Sequence, residues 1–390
     1  MQNKSVRLIL VVLLFLELLS GIEWGVHRGL SSLFAQDVLQ IISYTQIGYI
    51  VSLFGLSKAI TNLLFGVISD KAGRKPVIVI GIILTGLGGA IIGVSTSFFY
   101  MLLGTILVGV GGGATFVGIM VSLTEVLPLQ IGLAMGLFEL AAYGGSSVGT
   151  YIGGILSLTY GMRFPFYLFA VLSGVASVIC LTLLPETQIN TNSFYKSNRS
   201  IISKNVLDEF VNILPLCLAG FSSKILDSLI ISFLPLYLLS AQLGLDKISI
   251  ILSSFTLSWA LLQPISGHVS DRVGRKGIIT IGLAGSSFII LLSTSTLNYA
   301  FLVFLALILG VGAALYYTPI VAMVSDIASQ EIEGTIIGVY RFFRDMGYFF
   351  GPIVLGKIGD VYGLEYSFYL TSAVLMGACV ILVLRVKETN

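Results

Sequence analysis

Apolar runs of about 20 residues alternate with short polar breaks along nearly the whole chain. A helix of that length crosses a ~30 Å hydrocarbon layer while satisfying its own backbone, so each run predicts a membrane-spanning helix. Twelve are predicted, over residues 8–33, 43–65, 77–95, 98–121, 132–157, 164–184, 212–239, 248–267, 277–293, 299–323, 334–358 and 367–384. The longest polar break, Pro185 to Asn212, falls mid-chain and divides six helices from six. The expected organisation is therefore an all-α integral membrane protein with an N-terminal bundle (1–184), a cytoplasmic linker (185–211) and a C-terminal bundle (212–390).

Composition agrees with this pattern. The 390 residues are 56% hydrophobic and only 10% charged, with a mean hydropathy of +1.00, outside the range of soluble globular chains. The distribution of Lys and Arg sets the orientation. One face collects Lys4, Arg7, Lys71, Arg74, Lys75, Lys196, Arg199, Lys204, Arg272, Arg275, Lys276, Arg385 and Lys387, thirteen in all; the other holds three, Arg163, Lys247 and Lys357. Both termini are thus expected in the cytoplasm of a cell-membrane protein. The net charge of +2 is a topology signal and gives no reason to expect a nucleic-acid partner. The first run is expected to be a true span and no secretory signal, because no small-residue cleavage site follows it. Cys180, Cys217 and Cys379 are isolated within predicted helices, so neither a metal nor a cofactor is expected.

The chain repeats itself. Gly66–Gly81 reads GVISDKAGRKPVIVIG and Gly267–Gly282 reads GHVSDRVGRKGIITIG, an offset of 201 residues. Leu107–Ala114 matches Leu307–Ala314 with Gly109 facing Gly310, and Gly132, Gly136, Gly145 and Gly149 correspond to Gly334, Gly338, Gly347 and Gly351. Two six-helix halves of the same orientation, related by an axis along the membrane normal, form a parallel-repeat transporter architecture with its site between the halves.

Across essentially the whole chain these residues resemble the major facilitator superfamily. Its loop signature G-x-x-x-D-x-x-G-R-[KR] is matched at Gly66, Asp70, Gly73, Arg74 and Lys75, and again at Gly267, Asp271, Gly274, Arg275 and Lys276. The resemblance implies two rocking bundles, with these loops as gates and braces. Physically, the Gly-Arg turn lets the carboxylate reach the guanidinium and the free amides of a helix end. A second family pattern, associated with antiporters, fits at Gly136, Gly145, Gly149, Gly153 and Gly154, with Thr150 in place of its proline; Gly347, Gly351 and Pro352 carry its mate. These stripes are expected to let helices approach closely at the moving interface. Thr105 stands where proton-coupled drug exporters of the family carry an arginine.

Ten ionisable residues fall inside predicted spans: Glu17, Glu23, Arg28, Lys58, Glu139, Lys224, Asp227, Arg341, Arg344 and Asp345. Each is costly in hydrocarbon unless paired or facing water. Because the family lines its central cavity with the first and fourth helices of each half, Glu17, Glu23, Trp24, Arg28, Lys224 and Asp227 are the expected substrate or proton site, with Arg344 from the eleventh span. Glu23 and Lys224 share the 201-residue offset and are expected to face each other across the cavity. Arg341 and Asp345, four residues apart, are expected to pair and leave Arg344 for another partner.

No catalytic residue is expected. Gly145–Gly149 fits G-x-S-x-G only within a membrane helix, and Gly351–Lys357 resembles a phosphate loop that lacks its strand and its Ser/Thr. The sequence therefore predicts a monomeric secondary transporter of a small solute, driven by a coupling ion such as the proton. Two cargoes remain open: a lipophilic or cationic compound exported against protons at Glu17 or Glu23, or an organic anion held by Lys224, Arg28 and Arg344.

Overall fold

The computed structural model describes residues 2–128, 130–187, 202–329 and 332–388. Most of the expected linker, with Lys196 and Arg199, lies outside the described residues. Among the described residues the chain is helical throughout: α1 (Gln2–Asp37), α2 (Tyr44–Ala72), α3 (Arg74–Val94), α4 (Phe98–Val126), α5 (Ile131–Tyr160), α6 (Phe164–Leu183), α7 (Ile202–Ser232), α8 (Leu234–Ser240), α9 (Leu245–Val273), α10 (Arg275–Thr294), α11 (Tyr299–Ile327), α12 (Glu333–Tyr362) and α13 (Leu364–Arg385). The short α8 continues α7 after a break at Phe233, where Pro235 at the start of α8 cannot donate a backbone hydrogen bond. The predicted seventh span is therefore two helices end to end. Several helices also overrun their predicted edges, because polar residues outside the hydrocarbon still extend the helical ladder.

Nine spans among the described residues are long and apolar enough to cross a membrane.

The two halves repeat one packing plan. Helix α1 lies mainly on α5, α2 on α4, and α3 on α4 and α6; in the second half α7 lies on α12, α9 on α11, and α10 on α11 and α13. The halves meet through α5 against α9 and α2 against α12, which are equivalent pairs. At Gly73 and Gly274 the backbone turns with φ of 94° and 100°, a conformation L side chains rarely adopt, so each loop can pass directly from one helix into the next.

The glycine stripes sit mostly inside the bundles. A Cβ on Gly145 or Gly149 of α5 would overlap the carbonyl oxygens of Leu18 or Ile22 on α1, and Gly21 and Gly25 of α1 answer against Ala142 and Ser146. Gly153 packs on Val26 and Leu30, while Gly347 and Gly351 of α12 meet Phe221, Ile225 and Ser228 of α7. Thr150, in the position of the expected proline, donates from Oγ1 to the carbonyl of Gly25 at 2.9 Å and adds a polar tie to the same α1–α5 contact. Helices α5 and α12 do pack between the halves, on α9 and α2, but most glycines of their stripes face α1 and α7 and fuse helices within a bundle. Glycines that face the other half include Gly154, against Ser249, Gly356, against Tyr44 and Thr45, and Gly48 and Gly55 of α2, against Pro352 and Tyr348.

A Gly149→Leu substitution should accordingly lower the melting temperature of the purified protein sharply, since overpacking a rigid contact costs on the order of 1–3 kcal/mol or more. Gly144→Ala, with nothing within 4 Å of the added Cβ, should leave it unchanged or slightly raised.

Candidate functional site

The two Gly-Arg-Lys loops are built alike. Arg74 reaches Asp70 at 2.7 Å and Glu125 at the end of α4 at 2.9 Å; Arg275 reaches Asp271 at 3.4 Å and Asp326 at the end of α11 at 2.8 Å. The free amides at the start of α3 are taken by Glu186, which accepts from Arg74 N at 2.8 Å and Lys75 N at 3.2 Å. At α10, Glu388 accepts from Lys276 N at 2.9 Å. The guanidinium half of the expected latch is thus seen at Asp70 and Asp271, whereas carboxylates from the segments after α6 and α13 cap the helix ends. These contacts tie each loop to its own bundle.

On the opposite face the halves touch. Arg28 of α1 donates from Nη2 to Asp227 Oδ1 of α7 at 2.6 Å, both side chains being buried, and Tyr348 of α12 donates its hydroxyl to the other oxygen of Asp227. Lys224 stands 3.5 Å from the same carboxylate. Farther out, Ser32 Oγ donates to the Ile231 carbonyl at 3.3 Å and Ser147 Oγ to the Ser253 carbonyl at 2.9 Å. At the edge, Asp360 of α12 caps the start of α2, accepting from Ser43 Oγ at 2.8 Å and from the amides of Tyr44 and Thr45 at 2.6 and 3.0 Å. A carboxylate at a helix N-terminus is stabilised by the unpaired amides and the helix dipole, and here it bridges the two halves.

Between this closed face and the loops lies a cavity of about 590 Å³. It reaches from Trp24 and Tyr348 to Gly66, Val121 and Phe342, near the helix ends that lead into the loops. Its charged lining is Glu17, Lys58, Glu139, Lys224, Arg341, Arg344 and Asp345, and its rings include Trp24, Phe54, Phe116, Tyr143, Tyr317 and Tyr348. Arg344 is held by Asp345 at 2.8 Å and donates to the Tyr317 hydroxyl at 3.3 Å. None of the ion pairs among the described residues includes Glu17, Glu139, Lys58 or Arg341. Glu17 Oε2, Glu139 Oε2 and Arg341 Nε are buried without a hydrogen-bond partner.

Comparison with known proteins fits this geometry. The sequence profile of the Major Facilitator Superfamily matches residues 13–214 and 216–390. The chain belongs to the Major Facilitator Superfamily. It is 28% identical over 355 residues to an uncharacterized MFS-type transporter of Methanocaldococcus jannaschii, covering 88% of this chain and 89% of that one. It is 23% identical to multidrug resistance protein 1 of Bacillus subtilis, over 86% of this chain and 85% of that one. Its fold superposes with a TM-score of 0.82, at 15% identity, on a bacterial homolog of the human lysosomal transporter Spinster in an inward-facing, unoccupied conformation, covering 98% of this chain and 97% of that one.

Within this MFS transporter the expected site residues separate into groups. Glu17, Trp24, Lys224 and Arg344 line the cavity. Arg28 and Asp227 form the buried pair that closes the opposite face. Glu23 does not face Lys224: it is buried within its own bundle, accepting from Ser173 of α6 at 2.6 Å. The expected Arg341–Asp345 pair is replaced by Arg344–Asp345, and the same guanidinium also donates to the Tyr317 hydroxyl. Lys58, Glu139, Phe54 and Phe116 were not among the expected site residues. Lys58 and Glu139 are legible as charges inside spans, but they lie on the second and fifth helices, which the resembled family's lining pattern does not include.

Removing one partner of a buried ion pair typically costs about 3–5 kcal/mol, because the other charge is left uncompensated. Asp227→Asn should therefore destabilise the protein strongly. In thermal melts of Arg28→Met, Asp227→Asn and the double variant, the double should be less destabilised than the two single effects combined, with a coupling on the order of 1–3 kcal/mol.

Proposed function

We propose that this MFS transporter exchanges protons for small amphipathic organic cations, exporting them across the cell membrane as a monomer with both termini in the cytoplasm. The observation that carries this reading is the pair of carboxylates, Glu17 buried and Glu139 half-buried, each with a buried, unpartnered oxygen in an aromatic-walled cavity between the bundles. A carboxylate that can take either a proton or an organic cation couples the two by competition, and that competition is the thermodynamic basis of exchange. The multidrug resistance name of the Bacillus subtilis relative supports the same cargo class.

With the lysine- and arginine-rich loops in the cytoplasm, the cavity described above opens inward, the conformation named for the Spinster homolog. The loops then brace the cytoplasmic ends of bundles 1–184 and 212–390, joined by the linker 185–211, and the contacts among Arg28, Asp227, Tyr348 and Asp360 form the outer gate. Rocking the halves breaks that gate and brings the loop faces together. The alternative cargo, an organic anion held by Lys224 and Arg28, loses Arg28 to Asp227 and keeps Lys224 and Arg344. Co-binding of an anion with protons at Glu17 would give symport, so the direction of coupling separates the two readings.

In proteoliposomes, an imposed pH gradient should drive tetraphenylphosphonium against the proton flux. Glu17→Gln and Glu139→Gln should each reduce that exchange at least tenfold, while Glu23→Gln should stay within about twofold. Transport indifferent to the gradient, or lost only with Glu23→Gln, would contradict the proposal.

A further inference from the structure

Lys58 of α2 projects into the cavity, and its ammonium faces three rings of its own bundle. Nζ lies 4.9 Å from the centroid of Phe116, 5.0 Å from that of Trp24 and 5.9 Å from that of Phe54. Its charge is attracted by the carboxylates of Asp345, Glu17 and Glu139 and repelled by the Arg344 guanidinium, and no ion pair among the described residues includes it. Three aromatic faces around a cationic centre, with carboxylates beyond, is the arrangement that recognises quaternary ammonium ligands. Here the chain supplies the cation itself.

The second half shows the contrast. Trp259, the equivalent of Lys58 at the 201-residue offset, contributes a ring on which Lys224 sits at 5.5 Å, with Tyr317 at 5.1 Å and Tyr348 at 4.8 Å. Lys224 is anchored there by Asp227 at 3.5 Å. Lys58 has no such anchor, and its four-carbon stem is flexible and borders open cavity.

We infer that Trp24, Phe54 and Phe116 form an organic-cation subsite which Lys58 fills in the resting protein. Lys58 is a tethered competitor, displaced when a substrate ammonium enters the cage. This rests on the reading of the cavity as the cargo site and deepens it: the recognised group is an alkylated or aryl-bearing ammonium, and the residue in its place opposes binding. An ordinary contact residue weakens binding when it is removed; a competitor strengthens it.

The test uses the purified full-length protein and benzyltrimethylammonium as probe, with affinity followed by calorimetry and by tryptophan fluorescence, since both of the chain's tryptophans flank the cavity rings. Lys58→Met and Lys58→Gln should each bind the probe at least tenfold more tightly than the parent, and Lys58→Arg, which retains a cation in the cage, should stay within about threefold. Adding Trp24→Leu to Lys58→Met should reverse the gain. Unchanged or weaker binding in both neutral variants would overturn the inference, as would benzoate binding to the parent that disappears in Lys58→Met, which would make Lys58 an anion anchor. The pH-driven exchange assay on the same variants separates the failures. Exchange that persists without any gain in affinity refutes the competitor alone, and absence of both binding and exchange refutes the cargo site as well.

Discussion

A charge inside a membrane protein must find a counter-charge, a polar partner or water, and this constraint sorts every intramembrane ionisable group in the chain. Arg28 finds Asp227 across the interface, and Arg344 finds Asp345 next to it in sequence. Glu23 finds a serine within its own bundle. Glu17, Glu139, Lys58 and Arg341 have no such close partner and share the cavity instead. On the function proposed above, the groups left after internal pairing supply the capacity for protons and cargo, and the paired ones hold one face closed.

The glycine contacts and the charges divide the mechanical work. Close backbone packing of α1 on α5 and of α7 on α12 makes each bundle a unit that moves as a body. The bundles meet along α5 against α9 and α2 against α12, through a shared apolar core. The polar ties Arg28–Asp227 and Asp360 with Ser43, Tyr44 and Thr45 lie on the face away from the loops. Their core is a desolvated pair whose hydrogen bonds with Tyr348 satisfy the carboxylate. Such a pair contributes specificity of arrangement more than net stability, which suits a contact that must form and break in each cycle.

Much of this was legible in the sequence. The spans, the repeat and the family followed from periodicity and from two copies of one loop motif, because membrane solvation and pseudo-symmetry both leave marks at fixed spacing. Glu17, Trp24 and Lys224 were placed on the cavity from their depth, their spacing along a helix face and the helices that the resembled family uses to line its cavity. Partner choice was not legible. Whether Glu23 meets Lys224 or Ser173, and whether Asp345 takes Arg341 or Arg344, depends on helix rotation by a few tens of degrees, which a single hydrophobic pattern in an all-apolar helix does not encode. The glycine stripes identified close contacts correctly and left open which helix they contact. Lys58 was visible as an intramembrane charge, but its aromatic cage joins α1, α2 and α4, and that juxtaposition exists only in three dimensions.

The central claim is that two rigid bundles exchange access around the Arg28–Asp227 contact. Spin-label distances test it most directly, with one pair at Lys71 and Arg272 on the loop face and one pair at Thr159 and Asp246 on the opposite face, measured in the parent and in Asp227→Asn. Opposed changes are expected: breaking the pair should shorten the loop-face distance and lengthen the other. Distances that stay fixed, or that move in the same direction on both faces, would contradict it.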